Sequence, residues 1–166
     1  NPQIPLSVST GTLPLVVEVT GPDNMVRSAD LGAIEVTAPD RTFSPPAMDH
    51  VLNQPLGDAV ELLGYDVAPA DGPALDLLLT WRATIGGATN YTTFVHVLGP
   101  DGALLGQVDR QPRAGAYPTS IWAPGEVVTD ALRVPLSSLP ADLSLRVGMY
   151  QLETGDSLGE ILIDLP

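Results

Sequence analysis

Gly and Pro interrupt this chain at short intervals, and the runs between them alternate apolar with polar residues. Its 166 residues include 16 Gly and 17 Pro. Leu75, Leu77, Leu79 and Trp81 are interleaved with Asp76, Thr80 and Arg82, which puts the two sets on opposite faces of a strand. Leu143, Leu145, Val147 and Met149 alternate in the same way with Ser144, Arg146 and Tyr150. No stretch sustains helical periodicity. The pattern predicts strands over residues 13–20, 31–37, 59–68, 74–83, 91–98, 103–109, 127–134, 143–151 and 158–164, with one short helical turn in 136–142. Short strands at regular spacing imply an all-β fold, an antiparallel β-sandwich of immunoglobulin-like or jelly-roll type. Asp71-Gly72, Gly86-Gly87 and Asp101-Gly102 tolerate the positive φ that tight hairpins require.

Pro39, Pro45, Pro46 and Pro55 mark residues 38–55 as an extended connector. The expected division is residues 1–55, a hairpin and connector, and residues 56–166, the sandwich. A weak internal repeat crosses it. Leu15-Val-Val-Glu-Val19 and Leu31-Gly-Ala-Ile-Glu-Val36 resemble Leu143-Ser-Leu-Arg-Val147 and Leu158-Gly-Glu-Ile-Leu-Ile163. Either amphipathic hairpins simply look alike, or residues 12–37 close an upstream copy of the domain.

Charge excludes several functions. The formal net charge is −13, from seven Arg, no Lys and twenty acids. A nucleic-acid surface needs clustered cations to displace counterions from phosphates, and docking on anionic lipid needs them too. Neither partner is expected. The acidity reads as a solvated surface, or as Asp-rich turns that hold Ca²⁺. Cys is absent, which removes disulfides, thiolate catalysis and thiolate metal sites. No apolar run is long enough to span a bilayer. The chain starts without Met and without a basic-then-apolar leader, and so reads as a processed or excised piece of a longer protein.

Chemical motifs are sparse. Gly155-Asp-Ser-Leu-Gly159 fits esterase patterns by eye, but a Ser nucleophile needs a His base, and no His follows Ser157. The segment reads as a hairpin turn. His50 and His96 are isolated and lack metal-ligand spacing. Asn90-Tyr-Thr92 fits a glycosylation pattern inside a strand. Among twenty acids no pair stands out for glycoside hydrolysis. The expectation is a non-catalytic domain without cofactor or metal.

Two features call for more. Asp130 interrupts the apolar alternation of Val128, Leu132 and Val134. A core-facing carboxylate needs a partner, for which Arg82 and Arg110 are candidates, unless a bulge turns it outward. The loop from Arg110 to Trp122 joins Tyr117 and Trp122 to Arg110, Gln111 and Arg113. Aromatic faces cover sugar rings and polar groups bond hydroxyls, so these five residues form a candidate saccharide site. The competing reading makes Trp122 a cap on the core.

Leu63-Gly-Tyr-Asp66, Leu79-Thr-Trp-Arg82, Tyr91-Thr-Thr-Phe-Val-His-Val-Leu98, Asp101-Gly102, Asp109, Tyr117-Pro-Thr-Ser120, Trp122 and Pro124-Gly-Glu-Val-Val128 occur in that order. Together they resemble β-sandwich domains at the extracytoplasmic C-terminal end of bacterial membrane glycosyltransferases of the lipid-phosphate-sugar-dependent, mannosyltransferase-like type. The resemblance covers residues 56–166. It implies a non-catalytic accessory domain outside the cytoplasmic membrane, tethered through a membrane-embedded parent chain. It transfers no binding residues. The outline is also similar to carbohydrate-binding modules.

Overall fold

A computed structural model describes residues 9–166. The chain divides into two compact units, Asn1–Asp40 and Arg41–Pro166. The described part of the first is a two-stranded antiparallel hairpin, β1 (Gly11–Thr20) with β2 (Val26–Val36).

The second unit is an antiparallel β-sandwich. One sheet has the order β3-β4-β5-β8 and the other β10-β9-β6-β7. The strands are β3 (His50–Leu56), β4 (Val60–Pro69), β5 (Ala74–Ala83), β6 (Thr92–Leu98), β7 (Leu104–Arg110), β8 (Val127–Pro135), β9 (Ser144–Tyr150) and β10 (Ser157–Asp164). Hairpins join neighbours, whereas β5 pairs with β8 and β6 with β9 across long sequence distances. The period-two faces fall as the alternation dictates. Leu77, Leu79 and Trp81 meet Val95, Val97, Val128, Leu132, Leu145, Val147 and Met149 in one core.

Two expectations need correction. Residues 136–142 hold no helical turn; short 3-10 turns occur instead at Pro112–Gly115 and Thr119–Ile121, in the loop that crosses from one sheet to the other. The boundary expected after residue 55 lies after Asp40, because the connector belongs to the sandwich. The Thr42 carbonyl accepts from the Val127 N–H at 2.7 Å, at the start of edge strand β8. Residues 50–56 form β3 at the opposite edge of that sheet. Pro55, a left-handed Asn53 (φ 53°) and a register slip between Val51 and Gln54 hide this strand from a period-two reading. An edge strand tolerates all three because one side of its backbone carries no ladder.

The hairpins β1–β2 and β9–β10 share a local device. Each second strand carries Leu-Gly with the glycine in positive φ, 107° at Gly32 and 121° at Gly159. The Gly32 N–H donates to Asp30 Oδ1 at 2.8 Å and the Gly159 N–H to Ser157 Oγ at 3.0 Å. Both ladders slip register there, as a bulge built on glycine does. Superposing the bulges matches Leu13 with Val147, Leu15 with Met149 and Ile34 with Ile161. The second strands therefore align as their sequences do; the first strands align in a different register. Val147 and Met149 are fully buried, whereas Leu13, Leu15 and Ile34 are exposed.

Candidate functional site

The crossover loop between β7 and β8 is tied down by several side-chain hydrogen bonds. Trp122 is buried in the core, and its Nε1–H donates to the Tyr117 carbonyl at 3.1 Å. The Tyr117 hydroxyl donates to Glu126 Oε1 at 2.5 Å, and the Ala123 N–H donates to Oε2 at 2.7 Å. Arg41 completes this cluster with an ion pair to Oε2 of Glu126 and a bond to the Ile121 carbonyl at 3.0 Å. Glu126 is 1% exposed, so its charge depends on these partners. Burial, and next the Glu126 carboxylate, push the Tyr117 phenol up to about 12. The phenol is thus a fixed donor at neutral pH.

Asp130 is fully buried on the core side of β8, and the β5–β8 ladder runs without a slip, so no bulge turns it outward. Its Oδ1 accepts from the Arg113 N–H at 2.8 Å and from Arg110 at 3.2 Å. Arg82 pairs with Glu61 instead. Burial raises the Asp130 carboxyl above its ordinary value, against the lowering effects of the Arg113 N–H and Arg110. The anchored loop is strained: Arg113 and Ala114 hold left-handed backbone angles, with φ of 52° and 55°. Such angles cost roughly 1–3 kcal/mol each at non-Gly residues and persist where surrounding bonds fix them.

The five residues singled out by sequence therefore separate. Tyr117 and Trp122 are buried, with no ring face offered to solvent. Arg110 and Arg113 bind Asp130, and Arg113 also lies over the Tyr117 ring at 5.2 Å. The cavity beside Trp122 holds about 100 Å³, below the roughly 300–1,000 Å³ of small-molecule sites. Trp122 is a core cap. Of the five, Arg110 and Gln111 line a groove with capacity for a ligand, of about 430 Å³, together with Thr92, Asp109, Ala114, Tyr150 and Leu152; the Arg110 guanidinium is already engaged with Asp130.

That groove borders an aromatic strip on the outer face of the β9-β6-β7 sheet. Val95 and Val97 point into the core, so Phe94 and His96 share the outer face. The Phe94 ring lies 5.2 Å from that of His96 and 6.2 Å from that of Tyr150. Phe94 sits over Gly148, where a Cβ would come within 2.4 Å of the ring. The Tyr150 hydroxyl donates to Asp109 Oδ2 at 3.2 Å. The alternation placed Tyr150 outward on its strand but gave Phe94 and His96 no face; the β6–β9 register that brings the strands together left no mark in local sequence. Arg41 was missed for a related reason: nothing near it signals a carboxylate on a distant loop.

The remaining motifs are structural in their geometry. Ser157 accepts from the Gly159 N–H in the bulge described above, and His50 stacks on Tyr65 at 4.6 Å. Among the described residues no group of three or more His, Cys, Asp or Glu converges to hold a metal. The sequence matches no protein-family model and no curated protein.

Proposed function

We propose that this chain is a non-catalytic accessory domain, held outside the cytoplasmic membrane as part of a membrane glycosyltransferase. The observation that carries this reading is the fate of the residues behind the resemblance. Tyr65, Trp81, Tyr117, Trp122 and Glu126 are buried framework, and Tyr117 and Glu126 are bonded to each other. Residues that define a type of domain through its framework fit a scaffold or positioning role better than a reaction centre. Among the described residues no helix is long and apolar enough to cross a membrane; in this reading the spanning, catalytic part lies elsewhere in the parent protein.

The test uses the native protein in its source cells. Antibodies against the sandwich should find it in the membrane fraction, open to protease added outside the cytoplasmic membrane. Recovery in the soluble cytosol would overturn the reading. A second assay addresses catalysis: esterase or glycosidase turnover that vanishes in Ser157→Ala would make the domain an enzyme. The alternative, a carbohydrate-binding module, is favoured by the groove beside Tyr150.

A further inference from the structure

We propose that the groove between the outer face of the β9-β6-β7 sheet and the Gln111–Gly115 loop binds a neutral saccharide, with Tyr150 as its ring platform and Asp109 and Gln111 as hydroxyl partners. This deepens the reading of the domain as a positioning module by naming what it would position, and it does not depend on the membrane parent.

Four observations converge on this groove. Its volume of about 430 Å³ falls within the roughly 300–1,000 Å³ typical of small-ligand sites, whereas the cavity beside Trp122 does not. Its wall is aromatic where a sugar needs it: Tyr150 lines the groove, and Phe94 and His96 continue the same face. An aromatic ring offers a large rigid face with only two χ angles to immobilise. Its opposite wall includes Ala114, the second of the two strained residues. The Asp130 anchor holds that strain, and strain sustained in this way clusters at binding sites. Finally, the groove's hydrogen-bonding groups include a carboxylate, Asp109, and an amide, Gln111, a pairing suited to hydroxyls.

Charge selects the class of saccharide. The chain carries a net charge of −13. The one cation in the groove lining, Arg110, is bonded to Asp130 and the Ala131 carbonyl. A phosphorylated, sulfated or uronic-acid ligand would meet Asp109 without a compensating free guanidinium. A neutral glycan meets no such penalty.

The experiment is an NMR titration of the ¹⁵N-labelled chain with mannotriose, maltotriose, cellotriose and chitotriose, each to about 10 mM. At least one should shift the amides of Thr92, Asp109, Gln111 and Tyr150 and leave those of Leu132 and Val134 in place. An open groove of this size is expected to bind in the range of roughly 0.1–1 mM. Tyr150→Ala should weaken binding by about tenfold or more, while Tyr150→Phe keeps the ring and most of the affinity. If Tyr150→Ala fails to fold, Gln111→Ala, which lies outside the strands, should still lower affinity several-fold. The proposal is overturned if none of the four shifts these amides. It is also overturned if the shifts fall on the other sheet, if both Gln111→Ala and a folded Tyr150→Ala bind as the wild type does, or if a sulfated trisaccharide or a peptide binds there more tightly. Absence of binding in a membrane-held domain would leave the scaffold role standing. Binding by a cytosolic chain would overturn only the location.

Discussion

Two buried carboxylates organise the crossover loop, and they do so differently. Glu126 is surrounded by donors: a phenol, a backbone N–H and a guanidinium. Removing the phenol oxygen with Tyr117→Phe leaves Oε1 of Glu126 without that donor, so the variant should lose about 1–3 kcal/mol at neutral pH in denaturant unfolding. The sign at alkaline pH is also set. The folded state holds the Tyr117 proton up to about 12, against 10.0 for the free group. Its contribution is fully present below pH 10.0 and is lost as pH rises through about 12. Asp130 has only Oδ1 bonded, and Oδ2 is buried without a partner. Its raised carboxyl means that folding favours the protonated form. That contribution is complete below 3.8 and is lost as pH rises through the folded value. The melting temperature of the wild type minus that of Asp130→Asn should therefore grow as pH falls from neutral toward 4; a difference that shrinks would mean that the folded carboxyl is lowered. Asp130→Ala should cost about 1–3 kcal/mol, and it should release the strained Arg113–Ala114 backbone and so weaken glycan binding. Sequence made Asp130 conspicuous because it broke an alternation. Glu126 and Arg41 broke none, since each sits outside a strand where no pattern exists to break.

At the scale of elements, the strands that alternate cleanly were legible, and β3 was not. Its position explains the difference: an edge strand with a bulge has few constraints that local sequence must honour. The connector before it is equally specific in its packing. At Gly64 a Cβ would lie 2.2 Å from the His50 carbonyl oxygen and 3.0 Å from Met48 Sδ. The first residue of β3 thus lies so close over β4 that only glycine fits beneath it. Met can move aside, but the carbonyl belongs to the β3–β4 ladder, in which His50 pairs with Tyr65. Gly64→Ala should therefore push β3 away and destabilise the sandwich by about 1–3 kcal/mol. Hydrogen exchange should quicken at Val51 and Gln54 while β9 keeps its protection. Uniform loosening of both sheets would show that β3 is not the element displaced. The saccharide groove is likewise a product of element pairing: residues of three strands and two connecting segments line it, and strand register joins them.

The molecule as a whole is an acidic sandwich together with a hairpin that leaves most of its large apolar residues exposed. Leu13, Leu15, Val16, Val17, Val19, Met25, Val26, Leu31 and Ile34 are all exposed. A two-stranded hairpin is marginal by itself in water, and a patch of this kind marks an interaction surface or an aggregation site. The bulge shared with β9–β10 makes the comparison sharp, because the matched side chains in the sandwich, Val147 and Met149, are buried against a second sheet. Residues 41–166 contain a complete core and every strand of both four-stranded sheets. The two fragments should then behave differently. Residues 41–166 alone should stay monomeric in light scattering and melt cooperatively at the temperature of the longer chain, since the compact units divide after Asp40. The chain of 166 residues should associate as its concentration rises, and Leu13→Ser with Ile34→Ser should suppress that association without moving the melting temperature of the sandwich. If the shorter chain associates as strongly as the longer one, the contact lies on the sandwich. If the shorter chain fails to fold, the hairpin is part of the sandwich's own stability.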